Sequence, residues 1–287
     1  MYTVYRKELR SFFTNMLGPV FIAALLLMTG IIALAVNLRA LSPQLEYSLG
    51  IISFTFLLLI PLLTMRSIAE EKRQRTDTLL YSLPLSSSQI VLGKYFAMLT
   101  VQLIPVAVMA LYPIIFSIYG SVSFVSTYAS LLGFFFFGAA LTAIGVFVSA
   151  LTDNQIIAGV ISAAAMLLCF LLDTIAALIP AAAIYSFFAF TVMIVLLGVI
   201  CYLMTRNSYI SGGAALALEI AMLIVYKLNT PIFEGAAPAV LRWMSLYDRM
   251  YYFTVGIFDL RSFLFFLSFS FAFLFFAVTA VEKKRWS

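Results

Sequence analysis

Four features of this chain have residue types that could act on a ligand: a Gly-Lys pair, an acid within an apolar run, two cysteines and one dense block of charge. A phosphate-cradling loop needs the pattern G-x-x-x-x-G-K-[ST], in which backbone N–H groups wrap the phosphates and the lysine neutralises them. Gly93 and Lys94 have Ser88 at the first glycine position and Tyr95 after the lysine, so the pair is not such a loop. Histidine is absent, and Cys169 and Cys201 lie inside apolar stretches. A disulfide framework and a Cys/His metal site are therefore not expected. Neither H-E-x-x-H nor G-x-S-x-G occurs, and a paired-acid enzyme would need two carboxylates facing each other within the apolar runs. Only Glu219 is central in such a run, while Asp173 falls near the end of another. The chain is read as having no catalytic, cofactor or metal residues of its own.

Glu219 has two readings. Placing a carboxylate at the centre of a bilayer costs about 2.5–3.5 kcal/mol on insertion scales, so its presence needs a reason. It either lines a path for substrate or protons, or is a hydrogen-bonded group that clips two helices together.

The elements that position these residues follow from composition. Of 287 residues, 64% are hydrophobic and 10% charged, whereas soluble domains carry about 25% charge. Apolar runs without Asp, Glu, Lys or Arg recur from end to end, so the expected fold is all-α, a polytopic integral membrane protein. The net charge of +5 sits at the ends of those runs, which is a topology signal, and nucleic-acid binding is not read from it. Ala33, Leu34 and Ala35 imitate a signal-peptide cleavage site, but the run before them is longer than a signal's apolar region and an amphipathic stretch precedes it.

In residues 1–16, Tyr5, Leu9, Phe12, Phe13 and Met16 recur at helical spacing with Arg6, Lys7 and Arg10 elsewhere, the pattern of a helix lying at the membrane interface. Eight spans follow, at 17–38, 47–65, 95–119, 128–151, 155–172, 176–204, 210–228 and 262–281, each near the about 20 residues that cross a bilayer. Thr205, Arg206, Asn207 and Ser208 supply the turn between the sixth and seventh, and six spans is the alternative if that pair is re-entrant. With the N-terminus inside, Arg6, Lys7, Arg10, Arg66, Lys72, Arg73, Arg75, Lys94, Arg206, Lys283, Lys284 and Arg285 are cytoplasmic. Most of the remaining basic residues belong to the long outer connection 229–261 and its flanks, where they weigh less. Both termini are thus expected in the cytoplasm of a plasma-membrane protein.

The cytoplasmic segment 66–93 concentrates charge as no other does. A helix through Arg75 would present Glu70, Glu71, Lys72 and Arg73 to a partner; a short helix from Thr78 to Leu83 would stop before Pro84, and Ser86 would cap the next. Such a helix-break-helix is a docking knob, or else a solvated loop.

The run from Ala69 to Ser86 resembles the Ala-Glu-Glu-Arg-Arg-x-Gly-Thr-x-x-x-Leu-x-x-x-Pro-x-Ser signature of ABC-2 type permeases, close to their gliding-motility (GldF-like) branch. Three other stretches are similar to that family in order along the chain: Lys7 to Phe13; Gly138, Gly145, Ser149 and Leu151 to Gln155; and Ser245 to Tyr247 with Gly256 to Arg261 and Lys284 to Trp286. Two departures stand out: Arg75 replaces the usual glycine, and the stretch from about 176 to 240 is longer than the family's minimal form. The resemblance implies one permease domain over 1–287, with Glu70, Glu71, Arg73, Leu79, Leu80, Leu83 and Pro84 forming the region that meets a separate ABC ATPase subunit. It further implies a second permease copy or paralogue in a dimer, ATP and Mg bound by the partner ATPase, and outward movement of a lipid, peptide or other hydrophobic substrate. Small residues such as Gly138, Gly145 and Ser149 would let helices approach within the chain. The outer stretch with Trp243, Tyr247, Tyr251 and Tyr252 would cap the exit or lie inert at the interface. The rival readings are an ion- or proton-coupled secondary transporter using Glu219 and a non-transporting membrane scaffold.

Overall fold

The computed structural model describes residues 1–39, 42–73, 86–118, 120–205 and 208–286. It is built of helices, with no strand among the described residues. In chain order these are α1 (Tyr2–Thr14), α2 (Leu17–Ile32, continued by a π-helical stretch Ala33–Leu38), α3 (Leu45–Ser53), α4 (Phe56–Thr64), α5 (Ala69–Arg73), α6 (Ser87–Met109), α7 (Tyr112–Phe116), α8 (Phe124–Leu151), α9 (Gln155–Leu178), α10 (Ala183–Thr205), α11 (Ser208–Leu228), α12 (Ala236–Met244), α13 (Leu246–Thr254) and α14 (Leu260–Trp286). Among the described residues, six helical stretches are long and apolar enough to cross a membrane; the pair Leu45–Ser53 and Phe56–Arg73, bent by 54°, makes a seventh if counted as one span. In α10, a shorter apolar helix, Ala183–Val195, adds to these.

Several boundaries differ from the sequence reading for identifiable reasons. The third span starts at Ser87 rather than 95, because Ser86 forms a capping box with Gln89: Ser86 Oγ accepts from the Gln89 N–H at 3.3 Å. Lys94 is therefore inside a helix and buried, not in a cytoplasmic loop. The fifth helix runs to Leu178 instead of 172, since nothing interrupts it before Pro180, and Asp173 lies within it. The 229–261 connection is largely helical, as α12 and α13.

The chain divides into two compact units, Met1–Leu168 with Arg249–Ser287, and Cys169–Asp248. In the first, α8 is the axis: 78% of its apolar window is buried, far more than in any other span. Helices α3, α4, α6 and α14 all pack on it. Its aromatic side stacks Phe134 on Phe56 with ring centroids 4.5 Å apart and sets Phe137 against Phe266. Its small residues seat larger partners. A Cβ at Gly133 would stand 2.3 Å from the Phe253 ring, one at Gly138 would stand 2.0 Å from Gln102 Nε2, and one at Gly145 would stand 2.2 Å from Thr64 Oγ1. These contacts lie within the chain, as the small residues of this helix suggest.

At the N-terminus, α1 turns back through Met16, at φ 58°, and a Cβ on Gly18 would lie 3.1 Å from the Phe12 carbonyl oxygen. The buried face of α1 is Val4 and Phe12, whereas Phe13 and Met16 are exposed, a rotation of the apolar face from the one expected.

The second unit holds the hairpin of α10 and α11 closed by an aromatic knot, with Phe187 4.9 Å from Tyr226 and Tyr226 5.4 Å from Phe233. Ser186 Oγ accepts from the Ala237 N–H, and Arg242 meets Asp173 at 3.5 Å.

Replacing Gly138 by leucine is expected to lower the thermal midpoint of the detergent-purified protein by an amount matching about 1–3 kcal/mol of overpacking. Gly30→Leu, at a glycine with no atom within 4 Å of its Cβ position, should leave it unchanged. Equal effects at both sites would contradict α8 as the packing axis.

Candidate functional site

The charged block expected to meet a partner begins where α4 ends. Chain 65–68 turns there, and the turn is held by α8: Ser149 Oγ accepts from the backbone N–H groups of Ile68 and Ala69, both at 3.1 Å. These are N–H groups that the start of a helix leaves without intrahelical partners, so Ser149 caps α5 from a neighbouring helix. With no Cβ at Gly145, Thr64 can sit against the same face of α8.

Beyond this cap the acids and bases separate into different roles. Lys72 is buried, and its ammonium donates to the Ala150 carbonyl near the C-terminus of α8, with Asp153 at 3.9 Å. A cation there meets the negative end of the helix dipole. Glu71 turns inward to Lys94. The Lys94 Nζ is fully enclosed and donates to Glu8 Oε1 at 2.8 Å, lies 2.9 Å from Glu71 Oε2, and donates to the Ser67 carbonyl at 2.7 Å. Lys7 completes the group, 3.2 Å from Glu71 Oε1. Burial alone would raise the Glu71 carboxyl, but Lys94 and then Lys7 outweigh it and hold its pKa below the usual carboxylate value.

One ammonium thus ties three elements together: α1 through Glu8, the 65–73 segment through Ser67 and Glu71, and α6, which carries it. Gly93 lets this crossing close, since a Cβ there would meet Val4 of α1 at 3.0 Å. The Gly-Lys pair that fails as a phosphate loop serves as a helix-crossing point bearing a buried charge.

Of the residues singled out in the sequence, Arg73 is exposed and Glu70 half-buried. Glu71 points into its own chain. Leu79, Leu80, Leu83 and Pro84 lie outside the described residues. Sequence reasoning missed Glu8 and the internal role of Lys94. The available signal was Lys94's distance from the capping Ser86: eight residues into a helix, a lysine is well past the polar rim.

Glu219 belongs to the second unit. Thr191 Oγ1 donates to its Oε1 at 2.8 Å, and among the described residues its enclosed Oε2 has no partner. The clip between α10 and α11 is therefore real, and one oxygen is left over. No cluster of ligands for a metal ion occurs among the described residues.

A family model described as ABC-2 family transporter protein matches residues 39–228, from the end of the first span through α11. No curated protein matches the chain.

Replacing Lys94 by methionine takes the lysine partner from Glu8 and leaves Glu71 with Lys7 alone, and breaking a buried pair costs about 3–5 kcal/mol. Lys94→Met should lose most of its folded, monodisperse protein, and Lys94→Arg should keep more of it. The Glu71 contribution is present above the ordinary carboxyl value of 4.5 and disappears as pH falls through the lower folded value. The thermal midpoint of the native chain should therefore drop more steeply on acidification below 4.5 than that of Glu71→Gln; parallel curves would rule out a stabilising ion pair there.

Proposed function

Because the chain belongs to the ABC-2 family of transporter proteins and so takes the permease role in ABC transport, we propose that it couples to separate ATPase subunits through the 66–93 segment, with Glu70 and Arg73 on the docking face. ABC permeases of this family are membrane components that work with ATPase partners, and this chain has no phosphate loop. ATP and Mg2+ belong on that partner.

The observation that carries the reading is the buried Lys94 junction. A partner pushing on α5 meets a segment whose base is capped by Ser149, clamped by Lys72 and ion-locked to α1 and α6. Force applied to α5 therefore reaches the interfacial helix and the third span without first being absorbed by a soft loop. Two permeases, as a homodimer or with a paralogue, would each take one ATPase; closure of the ATPases would move the junctions and open the path between permeases outward.

The same reading places both termini in the cytoplasm and the chain in the plasma membrane, within the gliding-motility-like branch, carrying a lipid, peptide or other hydrophobic cargo. Support for the orientation comes from the basic residues around the ion junction and at the C-terminal end of α14, both on the side assigned to the cytoplasm. The unpartnered Glu219 oxygen favours a polar point on the translocation path over a purely structural clip.

The structure separates two effects that a combined Glu70/Glu71 substitution would merge. Glu70→Ala with Arg73→Ala should leave the permease folded but reduce permease-stimulated ATP hydrolysis of the co-purified complex several-fold or dissociate the ATPase. A complex that assembles and hydrolyses ATP as before would sink the docking assignment.

A further inference from the structure

At the end of the first unit opposite the Lys94 junction, the chain builds a second polar site, and it is not made from coupling residues. Glu46 opens α3 and is 7% exposed. Thr127 Oγ1 donates to its Oε1 at 2.7 Å. Among the described residues, Oε2 accepts no hydrogen bond and no lysine or arginine pairs with the carboxylate. Glu46 lines a cavity of about 500 Å³ together with Tyr47, Ser123, Ser126 and Thr254.

The walls of this cavity are fixed by buried polar groups. Asn37 Nδ2 donates to the carbonyls of Ser42 and Gln44, both at 2.9 Å, while its Oδ1 accepts from Ser48 Oγ at 2.6 Å, which shapes the 42–44 wall. Ser126 Oγ donates to the Gly256 carbonyl at 2.7 Å and holds the opposite wall. Glycine is required at 256 twice over: its φ is 80°, and a Cβ would stand 2.0 Å from Ser126 Oγ. Two separate connections are thus pinned beside one carboxylate.

At Glu46, 7% exposed as a residue and holding one hydrogen bond, a counter-charge in the cavity would be attracted more strongly than in bulk water. A bare divalent cation suits it poorly, since Ca²⁺ takes about six to eight oxygen ligands with several carboxylates, and this site has one. The volume lies within the about 300–1,000 Å³ of small-molecule pockets. A hydroxyl-rich wall accepts N–H donors, and the face of Tyr47 attracts a cation. We propose that this cavity binds an organic ammonium group, with Glu46 as its counter-ion and Tyr47 as its cation–π face. The group would come either from the headgroup of an aminophospholipid in the adjoining leaflet or from a soluble amine.

The test needs the purified chain alone, so it is independent of the ATPase reading. Ethanolammonium chloride, titrated against the detergent-solubilised protein at constant ionic strength set with sodium chloride, should bind saturably. Glu46→Gln should weaken that binding at least tenfold, and Tyr47→Leu, at an exposed side chain that folding does not need, should weaken it several-fold. In parallel, protein extracted from vesicles of equal phosphatidylethanolamine and phosphatidylglycerol is analysed by native mass spectrometry. Retention of phosphatidylethanolamine by the native chain and its loss in Glu46→Gln supports the lipid source; ethanolammonium binding without such retention supports the soluble one. If Glu46→Gln does not yield folded protein, Tyr47→Leu carries the test. Ethanolammonium and phosphatidylethanolamine behaving alike in the native chain and both variants, or no binding beyond that of sodium, overturns the proposal.

Discussion

A lysine ammonium with no access to water dictates the arrangement of everything around it. Lys94 is enclosed within helix α6, and burying such a charge is tolerable only when counter-charges and hydrogen bonds are already in place. The chain supplies them from two segments distant in sequence, Glu8 on the N-terminal helix and Glu71 on the segment after the second span, with the Ser67 carbonyl as third acceptor. Each partner fixes a different element. Without Glu8, α1 would be held to the body through Val4, Phe12, the Tyr5–Thr100 hydroxyl contact and the more exposed Lys7–Glu71 pair. Without Glu71, the start of the charged segment would be held by Ser149, by Lys72 and by the Ser67 carbonyl on Lys94. Helix α1 and the charged segment after α4 are therefore parts of one junction, although the sequence presents them as separate features.

The junction can form because α8 lets its neighbours come close. Its residues at 133, 138, 145 and 149 are three glycines and a serine, and each receives a specific group: the Phe253 ring, Gln102 and Phe56, Thr64, and the backbone of 65–69. In a membrane, where lipid is as apolar as leucine, such close approach supplies dispersion contacts that burial alone does not. The serine does more than its size suggests, capping α5 from outside the helix.

Much of this was legible in advance. Apolar runs gave the spans, Ser86 gave the start of α6, and the small residues of α8 gave the close packing. What escaped the sequence is pairing across distance. Glu8 and Lys94 are 86 residues apart, and although its distance from Ser86 sets Lys94 inside a helix, nothing local names its partners; charge position alone places any basic residue near the end of an apolar run at the membrane surface. For the same reason Glu71, grouped with Glu70 and Arg73 by adjacency, was assigned outward, while its side chain faces the opposite way. Glu46 was missed because the second span begins two residues earlier than its hydrophobicity suggests, which turns an apparent loop acid into an enclosed one.

The two polar sites of the first unit lie at opposite ends of the same helices, and this constrains how one could sense the other. Helix α8 contributes Thr127 and Ser126 at one end and Ser149 at the other, and it is one continuous helix tightly packed along its length. A rigid strut of this kind holds a distance and does not transmit a change. The second span is different: it carries Glu46 at the start of α3 and leads into Glu71 past the end of α4, but it is bent by 54° between them, where Ser53 and the 53–56 turn interrupt the helical ladder. Of the paths joining the Glu46 cavity to the ion junction, this one has a joint. Movement of the charged segment after α4 relative to α8 would therefore be taken up at that bend, and the position of Glu46 against Thr127 is what the bend would alter.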